Sequence, residues 1–186
     1  LVNAAGITQY PASIKTAITR MVISNSVDPD NLLFDTPSTF GTLTDDDKPN
    51  AVFYPTGGGA SYVEAPTSVM EAAGTLGTWH FNGENRVKNI GTTDSGGSVL
   101  TTDADVIAFL PGVKKAVCDS IHTRLGIPLV YATLTGIDVT TDMNLANPNI
   151  GAGGDTISST ELDGQPQGCF QKAAGNYVYY HVVAER

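Results

Sequence analysis

Apolar positions in the first 25 residues recur at helical spacing. Ile7, Tyr10, Ile14, Ala17 or Ile18, and Met21 with Val22 fall on one stripe of an amphipathic helix. Pro11 interrupts that stripe, so either a helix starts there with proline in its first turn or a longer helix kinks. The stripe is already running at Ile7, which suits a helix that began upstream of Leu1. It is expected to stop by Asn25, where the turn-rich segment NSVDPDNLLFDTPSTFG begins.

The middle of the chain alternates rather than spirals. AVFY (51–54) predicts a short strand ended by PTGGGA, and SYVEAPTSVMEAAG one short helical turn. TWHFNGENRVKNIG predicts a hairpin: Trp79 to Phe81 and Arg86 to Ile90 alternate, and Asn82-Gly83 accepts the positive φ of a tight turn. Trp79 and Phe81 should share one face, with His80 on the more exposed one. TTDSGGSVLTTDADVIAFL (92–110) predicts a loop leading into apolar Val106, Ile107 and Leu110.

A second helix is predicted from Pro111, with Val113, Val117, Ile121 and Leu125 as its stripe, Cys118 at the flank, and Gly126 and Pro128 as stop signals. LVYATLTGIDV (129–139) predicts a strand, and NPNIGAGGDTISSTELDGQPQG a loop. NYVYYHVVAE predicts a terminal strand with Tyr177, Tyr179 and His181 on one face and Val178, Tyr180 and Val182 on the other. This order predicts a single α+β domain over 1–186: a helix over 1–25, an irregular region with the first strands over 26–105, then a second helix and the terminal strand over 106–186. An antiparallel sheet would pack on the first helix.

Composition narrows the function classes. A formal charge of −9, with ten basic against nineteen acidic residues, argues against direct nucleic-acid binding, which needs a basic face. No apolar run reaches the roughly 18 residues that span a bilayer, and the chain begins at Leu1 rather than Met, as expected of a cut product. The two cysteines, Cys118 on the helix and Cys169 in a loop before the last strand, have no CxxC or Cys/His ligand spacing. Their placement favours a disulfide, worth roughly 4 kcal/mol if unstrained; two buried free thiols are the alternative. A disulfide would imply an extracytoplasmic address.

Catalytic signatures do not emerge. His80, His122 and His181 form no i,i+4 pair, no GxSxG elbow is present, and Gly57-Gly58-Gly59 is followed by no Lys-Ser/Thr. Asp28, Asp30 and Asn31 depart from the EF-hand pattern and read as turn formers, and Asp45-Asp46-Asp47 as a solvated loop. The terminal tyrosines suit a sheet strand better than a stacking platform. A non-catalytic protein is therefore expected, with no cofactor.

AFLPGVKKAVCDSIHTRLGI and GQPQGCFQKAAGNYVYYHVVAER together resemble the C-terminal pattern of type IV pilins and pseudopilins: a Cys on a helix, a small-residue loop, Gly-Cys-Phe, then an aromatic-rich last strand. The likeness covers 106–186 best. Leu1 to Asn25 lacks the leader and the long apolar run of a pilin precursor, so the resemblance implies a mature subunit without its membrane-spanning half-helix. It implies a filament subunit of the cell exterior or periplasm, anchored before assembly in the inner membrane, whose partners are other pilin subunits and the assembly machinery. Ile7, Ile14, Ile18 and Met21 would pack under the sheet and against neighbouring subunits, and Cys118 and Cys169 would pin the C-terminal loop. As in some secretion pseudopilins, Asp28, Asp30, Asp45 to Asp47, Asp138, Asp142 and Asp155 would be the candidates for Ca2+. Alternatives are a type II secretion pseudopilin and a free extracytoplasmic ligand- or glycan-binding domain with Trp79 and the tyrosines as platform. A hydrolase would need a pocket gathering a histidine and a carboxylate.

Overall fold

The computed structural model describes residues 4–91, 97–151 and 153–186. The first three residues of the predicted helix, 92–96 of the predicted loop before Val106, and position 152 lie outside them. The first helix, α1, runs Ala4–Asn25 straight through Pro11, which is itself buried. Proline inside a helix forfeits the bond to the carbonyl four residues back, yet tertiary packing holds the helix on both sides of it. Ile7, Ile14, Ile18 and Met21 are all buried against the sheet, as the stripe requires.

Strands β1 (His80–Asn82), β3 (Val106–Val113), β5 (Gln167–Ala173) and β6 (Asn176–Ala184) form a four-stranded sheet in the order β1-β3-β6-β5, with every pairing antiparallel. β2 (Arg86–Val87) and β4 (Thr156–Ile157) make a separate parallel pair. The second helix, α2, spans Lys115–Leu125 and packs beside α1 on the same face of the sheet. The fold is thus mixed helix and antiparallel sheet.

The terminal strand alternates as predicted. Tyr179 and Val183 face the helices; Val178, Tyr180 and Val182 face a second core built from Val87, Ile137, Val139, Ile157 and Leu162. Both sheet faces are therefore covered, one by helices and the other by loops and the β2-β4 pair.

Several predicted elements are corrected. The hairpin over 79–90 does not form, because Asn82 is buried instead of turning in solvent. Its Oδ1 accepts the Glu84 N–H and an Asn85 Nδ2–H, and its Nδ2 donates to the Thr141 carbonyl. This Asx arrangement sends β2 away from β1 towards β4. AVFY is not a strand: after one bridge between Leu33 and Ala51 the chain turns, with the Tyr54 N–H on the Ala51 carbonyl. Side chains at Gly57 and Gly58 would collide with the Ala51 and Val52 carbonyls, so these glycines are required by close backbone approach.

Pro111 does not start the second helix. It lies within β3 opposite Val178, where its missing N–H costs nothing because the pairing with β1 does not reach past His80–Phe109. Val113 is accordingly a buried strand residue, and Leu125 is 38% exposed, so Val117 and Ile121 are the stripe positions that α2 itself buries. LVYATLTGIDV makes one bridge, Thr133 with Gln171, then turns. Cys169 lies inside β5 rather than in a loop before the last strand.

Candidate functional site

Cys118 and Cys169 form a disulfide that ties α2 to β5, with both sulfurs' residues fully buried. One helical turn after Cys118, His122 is also buried. Its Nδ1–H donates to the Pro128 carbonyl at 2.8 Å, which leaves Nε2 to accept the Cys169 N–H at 2.9 Å. Burial pushes the imidazole below its ordinary pKa, so it is held neutral. Tyr131 packs its ring on His122 and donates its hydroxyl to Asp119 Oδ1 at 2.7 Å. Burial, then the Asp119 carboxylate, push that phenol well above the usual range.

The loop closed by the disulfide is fastened to the sheet edge. The Gln171 N–H donates to the Ala132 carbonyl and the Gln171 carbonyl accepts the Leu134 N–H, both at 2.8 Å. The Lys172 ammonium donates to the carbonyls of Thr135 and Ile137. At the opposite edge the Phe81 N–H donates to Asp142 Oδ1 and the Phe81 carbonyl accepts the Met143 N–H. Both outer strands thus have edge groups already capped, which blocks strand addition at these positions.

The outward surface of α1 is the other candidate. Shallow grooves run along its two flanks, one of about 540 Å³ lined by Lys15, Thr19, Arg20, Ile23 and His181, the other of about 330 Å³ beside Tyr10 and Gly58 to Ser61. Ile23 is 76% exposed there. By contrast Ile7, Ile14, Ile18 and Met21 are spent on this chain's own core and are not on the outward face of α1. Tyr10, its phenol pushed up to about 12 by burial, anchors the 61–63 segment by donating to the Ser61 carbonyl and accepting the Val63 N–H.

The rings that a sugar platform would need point inward. Trp79, Tyr179 and Tyr180 are buried; Trp79 meets Tyr10 and Tyr179 edge on or tilted. His181 and Tyr179 share a 2.9 Å hydrogen bond under α1, and Tyr179 donates on to Gln167 Oε1. His80 and Asp142 make a half-buried pair at 3.2 Å, but neither lines any of the cavities described here.

Most of the candidate calcium carboxylates already have partners. Asp28 accepts the Asp30 N–H, Asp30 pairs with Arg186, Asp45 with Lys48, and Asp47 accepts from Thr44. Asp138 accepts from Thr140 and Thr141, and Asp155 from the Thr156 N–H. Among the described residues no group of three or more His, Cys, Asp or Glu could hold a metal ion, and no helix is long and apolar enough to cross a membrane.

Sequence reasoning gave no role to three polar groups: His122, Lys172 and Asp105. Asp105 is fully buried and accepts the N–H groups of Val87 and Arg186. Nothing local marks them, since each acts on residues far away in the chain. Compared with protein-family models, with curated proteins and with solved structures, the chain matches none.

Proposed function

We propose that this chain is the globular domain of a pilin-like filament subunit, a non-catalytic protein that works by self-assembly outside the cytoplasm. The observation that carries the reading is the placing of α1: one stripe lies along β6, while the outward face keeps Ile23 in solvent beside an open groove. A helix laid lengthwise on an antiparallel sheet offers an assembly a straight, rigid contact surface. The disulfide between α2 and β5 fits the resemblance at the C-terminal motifs, and it fits an oxidising compartment.

Burial of Trp79, Tyr179 and Tyr180 speaks against the glycan-platform alternative, because a buried ring cannot stack on an external sugar. The filament reading requires an apolar segment preceding Leu1 in the native protein. Intact mass and N-terminal sequencing of the protein from its own cells, without reductant, test it. A longer chain with an apolar stretch ahead of Leu1, and a mass two hydrogens short, is the expected result. A native protein lacking such a stretch overturns the reading.

A further inference from the structure

We propose that the chain associates head to tail with a second copy of itself, the Ile23 end of α1 entering the groove between Met70, Leu76 and Pro111 of its neighbour. The proposal rests on the filament reading and names the surfaces that meet.

The groove arises where β1 and β3 part. Beyond the His80–Phe109 pair, Pro111 has no N–H to offer, and Gly112 turns the strand aside with φ of 79°. The incoming segment is held off by other bonds: the Glu71 N–H donates to the Gly112 carbonyl, and Gly77 pairs with Ala65. What remains is a mainly apolar groove of about 520 Å³ with Leu76 half exposed and Glu71 in its wall.

Ile23 is the most exposed large apolar side chain among the described residues. It stands about one turn from Arg20, on a helix that carries no acidic side chain over Ala4–Asn25, in a protein of net charge −9. An isoleucine beside an arginine therefore meets a groove beside a glutamate, which matches apolar surface with apolar surface and opposite charges at the rim.

Position completes the argument. Gly112 adjoins the Val113–Tyr177 end of the sheet. The exit of α1 lies at the Val106–Ala184 end, because Lys15 pairs with Glu185 and Asp30 with Arg186. The two ends of β3 are roughly 25 Å apart at the usual strand rise. Features at opposite ends of one molecule form a heterologous contact, in which every docked copy leaves one knob and one groove free. Such a contact propagates from copy to copy, into an open chain wherever its rotation does not close a ring.

The test is oxidation of the 186-residue chain carrying Ile23→Cys and Leu76→Cys together. The native cysteines are buried and bonded, and the new pair is too far apart to join within one molecule. Non-reducing electrophoresis should show a ladder of dimers, trimers and longer covalent chains, whereas each single variant stops at a dimer. Adding Glu71→Lys should slow the ladder about tenfold by placing like charges at the rim. A ladder that forms no faster than with Ile23→Cys and Leu129→Cys, a pair at another exposed apolar site, overturns the contact. The filament reading is judged separately, by the native N-terminus, which involves none of these side chains.

Discussion

The His122 imidazole accepts the backbone N–H of Cys169 at 2.9 Å across 47 residues of sequence, one helical turn from the cysteine to which Cys169 is bonded. Helix and edge strand are thus joined twice, once covalently and once by a neutral ring whose other nitrogen is committed to Pro128. The ring also caps an edge N–H that would otherwise be buried without a partner. His122→Phe keeps a ring there but strands the Cys169 N–H and the Pro128 carbonyl. It should cost about 1–3 kcal/mol, read as a lower urea midpoint.

Removing the covalent half should cost about 2–5 kcal/mol. Cys118→Ala with Cys169→Ala is the clean form of that experiment, since no free thiol is left behind. In the unmodified protein neither sulfur should react with thiol reagents, or with reductant under native conditions, because both residues are inaccessible. Rapid native-state reduction would contradict the buried position.

Two buried groups should give opposed pH dependences. Burial pushes the Asp105 carboxyl up from 3.8 to about 7, so its contribution to stability is full below 3.8 and is lost as pH rises through 7. Burial, then the Lys15 charge, push His181 down from 6.5 to about 4, so its contribution is full above 6.5 and is lost as pH falls through 4. The two oppose each other between 4 and 6.5, while His122, also depressed, adds to the acid side. Above 6.5 only Asp105 of these three still acts. Asp105→Asn removes the loss that accumulates between 3.8 and 7, so the variant's stability should fall more steeply than the unmodified protein's as pH drops from about 6.5 to 4, measured as denaturation midpoints across that range.

Lys172 should control the order of the disulfide-closed loop. Lys172→Met keeps the stem but removes the ammonium from the Thr135 and Ile137 carbonyls. Hydrogen exchange should quicken over 132–139, with a global loss of about 1–3 kcal/mol typical of charge-assisted bonds. Unchanged exchange in that segment would show that the Thr133–Gln171 bridge suffices by itself.

Local periodicity carried α1 and β6. The stripe through Ile7, Ile14, Ile18 and Met21 and the alternation through Tyr177 to Val182 each repeat the geometry of one element: the stripe is buried, and successive strand residues enter opposite cores. The predictions that failed concern partners. Asn82-Gly83 has the composition of a hairpin turn, but the buried amide of Asn82 reaches Thr141, and no local rule anticipates that bond. Pro111 suits the first turn of a helix as well as the end of a strand, and the place where β1 stops decided between them.

The same division runs through the candidate surfaces. The amphipathic first helix, the disulfide-competent cysteines and the acidic balance could all be read from the chain alone, because composition and spacing are properties of neighbours in sequence. The capping of Cys169 by His122, the closure of both sheet edges, the inward turn of Trp79 and Tyr179, and the separation of Ile23 from its matching groove came only with tertiary structure. Each depends on which distant segments meet. A hydrogen bond or a packed ring stabilises whichever partner the folded backbone brings within reach, and a linear pattern holds no record of that choice.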